Sequence, residues 1–157
     1  MPAAFARFAR LEGKDRLLLV EAVAALALAS MAIRLVPFRR LAGALSPGTP
    51  RRRRAPRRDT DAADDVTRRA VWAVNAAARR ASWRAVCFQR GLALHSMLRR
   101  RGLDSRLHYG VAKPGAEGLR AHVWVSHEGR TLIGGEEAKD FVCLATFPSS
   151  TQAAPQS

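Results

Sequence analysis

Two cysteines in 157 residues, Cys87 and Cys143, are too few to staple a domain of this size with disulfides. The chain has no CxxC pair and no His/Cys cluster at ligand spacing, which argues against structural zinc. It also lacks a Gly-rich phosphate loop, HExxH, GxSxG and a dinucleotide fingerprint. No cofactor is therefore expected, and any ATP-consuming step belongs to another protein. A reducing, cytoplasmic compartment with at least one free thiol is the economical reading. Acidic residues are scarce, 13 Asp/Glu against 27 Lys/Arg, giving a net charge of +14. The imbalance is local. Residues 1–58 hold 13 Lys/Arg against 3 Asp/Glu, whereas residues 59–157 hold 14 against 10. A basic third of this kind attracts nucleic acid, acidic lipid or an acidic peptide, and charge alone does not choose among them.

Long uncharged apolar runs are missing as well. Leu17 to Ile33 is mostly apolar, but Glu21 interrupts it. The uncharged run from Ala22 to Ile33 is 12 residues long, where a bilayer crossing needs about 20. Basic residues ahead of it and an internal A-L-A give it the look of a secretory signal, and Glu21 argues against that too. The expectation is a helix from Arg16 to about Leu35, capped by Asp15 and ended by Pro37, packed on this domain or on a partner.

The arm formed by residues 1–45 then gives way to SPGTPRRRRAPRRDTDAADD, residues 46–65, which carries no apolar periodicity and reads as a solvated linker. Its arginines, Arg51 to Arg58, have no interleaved aromatics and no recognition module, so nucleic-acid binding is disfavoured. Residues 66–148 form the expected catalytic domain. A helix from about Asp61 to Ser82–Trp83 carries Val66, Ala70, Val74, Ala77 and Ala78 at helical spacing. A second begins at or just before Cys87 and stops at Gly102. The period then changes to short strands at Ser105–Ala112, Ala121–Ser126 and Thr131–Ile133, with HEGR as a hairpin turn and FVCLATF as a closing strand. Helices followed by an antiparallel sheet predict an α+β domain. The tail, residues 149–157, reads as disordered.

The chemistry centres on Cys87. Amides at the start of a helix favour a thiolate, and 35 residues later His122 sits on a strand able to hold an imidazole as base. Cys143 lies in an apolar run and reads as core. Trp124 shares the sheet face of His122 and is a candidate substrate contact, and His108 is a candidate to line that face as well. A third group should orient His122. The strand RTLI carries no carboxylate, so Glu136, just beyond it, is the candidate.

CFQRGLALHSMLRRRGLDSRLHYGV followed by AHVWVSHEGRTLIGG resembles the transglutaminase-like domain of lasso-peptide maturation proteins. DRLLLVEAVAALALASMAIRLVPFRRLAGAL resembles their leading helical segment. The resemblance implies a transglutaminase-like, papain-like cysteine peptidase that removes the leader from a ribosomally made precursor peptide. Cys87 would be nucleophile and His122 general base and acid. It further implies two partners, a separate leader-recognition protein and an ATP-dependent macrolactam cyclase, since this chain is too short to hold the recognition module itself. The basic arm would contact these partners or a membrane surface peripherally. In one respect the chain departs from the family pattern: the aspartate often found about twelve residues after the histidine is here Gly134. Two alternatives stand beside the peptidase. One is a non-catalytic scaffold of the same fold that delivers the precursor to the cyclase, and the other is a transglutaminase or acyltransferase using an amine acceptor.

Overall fold

The computed structural model describes residues 12–45, 60–81, 87–112 and 120–148. Among these residues four helices precede a four-stranded sheet: α1 (Gly13–Leu35), α2 (Phe38–Leu45), α3 (Thr60–Arg80), α4 (Cys87–Arg100), β1 (Ser105–Val111), β2 (Ala121–His127), β3 (Arg130–Ile133), a short 3-10 turn (Glu137–Asp140) and β4 (Val142–Phe147). The sheet runs β3-β2-β1-β4 with every neighbouring pair antiparallel. This is the expected α+β arrangement. Most of the expected linker, the loop after β1 and the tail lie outside the described residues. So does the segment joining α3 to α4.

Local chemistry explains the boundaries. Gly102 sits at φ +74 and ends α4 with paired backbone bonds, its own N–H to Arg99 and that of Leu103 to Leu98. This left-handed stop satisfies the last helical carbonyls and drops Leu103 back onto Leu98 in the core. Between β2 and β3, Glu128 and Gly129 both have positive φ, and His127 pairs with Arg130. That is the two-residue turn whose twist suits a hairpin.

Of the two expected sites for the arm, this domain or a partner, it packs on this domain. Leu18, Leu19, Ala22, Ala25 and Leu26 on α1 belong to the same core cluster as Ala70, Val74 and Ala77 on α3 and Leu94, Met97 and Leu98 on α4. Small residues on α1 and α3 let the two helices approach closely. Asp15 accepts from Arg69 on α3 at 2.6 Å, and Glu21 from Arg100 at 3.0 Å and from Arg101. Those arginines hold the Glu21 carboxyl below its ordinary range, Arg101 contributing most. The arm is thus a wall of the domain. The linker is also shorter than expected, because helix α3 already begins at Thr60. By length and composition α1 would suffice to cross a membrane, yet a third of its apolar window is buried in this core.

Helix α4 lies flat on the sheet. A β-carbon at Gly91 would sit 2.6 Å from Val123 Cγ1 and 3.1 Å from Leu107 Cδ1, so glycine is what permits this approach. The contact fixes the height of Cys87, one turn away on the same helix, above β2.

His95 on α4 is a buried histidine whose Nδ1 faces Ser105 Oγ at 2.9 Å. Burial chiefly, with Arg99 nearby, pushes its pKa down to about 4. The unfolded chain binds this proton near the ordinary value of 6.5 and the folded chain resists it. The contribution to stability is therefore complete above about pH 6.5 and is lost progressively as pH falls towards 4. A shift of this size corresponds to roughly 3 kcal/mol. Denaturant unfolding of His95→Gln should show a much flatter decline between these pH values than the native chain does.

Candidate active site

The first residue of α4 is Cys87, partly exposed and with a free thiol. His122 is the second residue of β2 and is almost fully buried. Both line one cleft of about 610 Å³, together with Asn75, Arg90, Gly134, Gly135, Glu136 and Glu137 among others. Strand alternation sends Val123 and Val125 into the helical core and His122, Trp124 and Ser126 to the other face. Both His122 and Val123 border the cleft, so it opens around the strand at this point. No hydrogen bond joins Cys87 to His122 among the described residues. Unliganded sites often hold such pairs apart until substrate closes them.

The ring of His122 is oriented by the backbone. Its Nε2 lies 2.8 Å from the carbonyl oxygen of Gly134. A carbonyl only accepts, so Nε2 carries the hydrogen and Nδ1 keeps the lone pair of the neutral ring. That is the tautomer a base needs. Gly134 adopts φ +74, and a β-carbon there would meet Val123 O at 2.7 Å and His122 Nε2 at 3.0 Å. The position where the resembled pattern often has an aspartate therefore has no room for a side chain on this backbone, and its carbonyl is the group that meets His122 Nε2. Glu136, the sequence candidate for this role, lines the cleft without a hydrogen bond or ion pair to His122. Among the described residues the carboxylate within ion-pair distance is instead Glu137, 3.8 Å from Nε2 and 65% exposed. Solvent screens a charge placed so openly.

Trp124 also sits differently from expectation. Its ring stacks between His122, at 6.2 Å and 18°, and His108, at 5.3 Å and 13°. Gly110 makes room for it, since a β-carbon there would meet Trp124 Cζ3 at 2.8 Å. Trp124 is thus not among the cleft-lining residues; it braces His122 from behind. Phe141 closes on the ring at 5.0 Å. His108 does share that face, bridging Thr146 at 3.0 Å and Ser126 at 2.8 Å. Burial, aided by Arg106, lowers its pKa and favours the neutral ring. Cys143 is exposed on edge strand β4 rather than buried in the core, with its thiol 3.5 Å from the carbonyl of Ala145. Strand β4 caps the sheet and covers little, which is why an apolar run there is left open.

Sequence reasoning assigns no role to Asn75, whereas Arg90 and Arg84 are basic flanks of Cys87 that favour its thiolate, Arg84 lying outside the described residues. Arg90 stands one turn after Cys87, and its Nη2 donates to Asn75 Oδ1 on α3 at 2.6 Å. The pair therefore fixes a guanidinium in the cleft that Cys87 also lines. A lone asparagine in the alanine-rich face of α3 was the available signal. Among the described residues no group of His, Cys, Asp and Glu is arranged to hold a metal ion.

Comparison with curated proteins and with solved structures yields no match. The family model described as "Transglutaminase-like superfamily" matches residues 32–146, which include Cys87, His122 and Gly134 and more than two-thirds of the chain. With a cysteine opening a helix, a strand histidine in the same cleft and this match, the chain belongs to the transglutaminase-like superfamily.

Proposed function

We propose that this protein is a cysteine peptidase that removes the leader from a ribosomally synthesised lasso precursor peptide. The observation that carries the reading is the cleft, where Cys87 at the head of α4 meets a His122 whose Nε2–H is held by Gly134. Nδ1 of His122 takes the thiol proton, and Cys87 Sγ attacks the scissile carbonyl. First-turn amides of α4 are suited to stabilise the resulting oxyanion. The imidazolium returns its proton to the departing amine, which is the new N-terminus of the core peptide. Water, activated by the same nitrogen, then hydrolyses the thioester, releases the leader and restores the thiol.

The choice of a lasso precursor rests on the resemblance of the segments around Cys87 and His122, and of the leading helix, to lasso maturation proteins. The same resemblance supplies the partners, a leader-recognition protein and an ATP-dependent cyclase that consumes the freed amine, while the scarcity of cysteine favours a cytoplasmic setting. Incubating the precursor with this chain and the recognition protein should give two fragments whose masses sum to the precursor plus one water. A product carrying an added amine instead would make the protein a transferase. An intact precursor that remains bound would make it a scaffold.

A further inference from the structure

Helix α1 is apolar on nearly every side, and among the described residues only one side is covered. Its buried face, from Leu18 to Ala29, packs on α3 and α4. On the opposite side Leu17, Val20, Ala24, Leu28, Met31 and Leu35 succeed one another at steps of three and four, which makes one continuous stripe. All six are exposed, Leu17 and Leu35 by 74% and 73%. At helical rise the stripe is about 27 Å long. It carries no charge. A monomer seldom leaves so long an apolar surface to water, and such a patch marks a docking site.

Charge identifies what docks there. Lys14 flanks one side of the stripe at its start and Arg34 the other side at its end, and both are exposed. Arg39 and Arg40 follow on α2, also exposed. Two of the three acids in residues 1–58 are already engaged across the fold, Asp15 by Arg69 and Glu21 by Arg100 and Arg101. What faces outward is an apolar strip rimmed by long cations, whose stems can lie along it while their heads reach anionic groups. We infer that α1 rests in the plane of an anionic lipid surface, its stripe in the acyl boundary and its cations among the headgroups. Crossing the bilayer would strip the other half of the helix from the core and break the Glu21 and Asp15 pairs. Lying on the surface costs neither.

Co-sedimentation of the full chain with vesicles tests this. Vesicles of phosphatidylglycerol and phosphatidylcholine should carry down the protein, less so as salt rises, and pure phosphatidylcholine vesicles should not. The double variant L28E/M31E changes only exposed side chains and should weaken partition about tenfold or more, as should R39E/R40E. Circular dichroism checks that each variant is folded. Equal binding to both vesicle types overturns the inference, as does undiminished binding by the folded variants. It is also overturned if the native chain ignores anionic vesicles, with self-association or capture by the recognition protein then lost in L28E/M31E.

Discussion

Cys87→Ala is expected to lower precursor cleavage by more than about 10³-fold, since loss of a nucleophile removes the covalent route rather than weakening it. Binding of the precursor should survive, because the cleft walls, Asn75, Arg90 and the residues from Thr131 to Glu137, are untouched. The substitution is also gentle structurally. Cys87 is partly exposed at a helix start, and its thiol contributes no hydrogen bond to another described residue. Thermal unfolding should therefore change little while turnover disappears. That combination separates a chemical role from a structural one. A cysteine that merely packed would give the reverse pattern, with reduced stability and residual cleavage.

Gly134→Ala is expected to cost on the order of 10²-fold in kcat with KM little changed, the scale of misplacing a catalytic group by about 1 Å. Its methyl group would press on Val123 O and on His122 Nε2, and alanine pays for the left-handed backbone that glycine adopts freely. The Gly134 carbonyl must swing away, and with it goes the constraint that keeps the hydrogen on Nε2. Steady-state kinetics beside a melting curve would measure both effects, the latter on the order of 1–3 kcal/mol for one strained residue. The sharper comparison is Gly134→Asp. It places an aspartate where the related pattern often has one, and it should impair rather than improve the enzyme, because this backbone has no space for the β-carbon. A gain in turnover would mean that the carbonyl is a poor substitute and that the strand readily accommodates a side chain.

Much of this fold is legible in the chain. The change from helical to alternating period after Gly102, the Gly102 stop and the Glu128-Gly129 turn are local chemistry, and local chemistry is written in adjacent residues. So is the placing of Cys87 at a helix start and His122 on a strand. The orienting group is of another kind. Gly134 acts through its carbonyl, which any residue type possesses, and only its φ and its packing against His122 reveal the role. A search for carboxylates leads instead to Glu136, one residue away from the Glu137 that approaches the ring. Trp124 reads as a substrate contact because alternation gives its face but not its neighbours, and the space beside Gly110 belongs to a different strand. The choice between this domain and a partner as the surface under the arm is hidden for a similar reason. Nothing in α1 alone says that its alanines match those of α3, more than forty residues further on.

In the proposed reaction Cys87 carries the leader as a thioester, with His122 managing the proton. Acid-quenched intact mass spectrometry of the protein during turnover tests this most directly, since acid preserves a thioester and stops its hydrolysis. A transient species heavier by the acylated leader fragment is expected, mapped by digestion to the peptide containing Cys87 and absent from Cys87→Ala. Cleavage that proceeds in Cys87→Ala at the native rate, with no adduct in either protein, would contradict it.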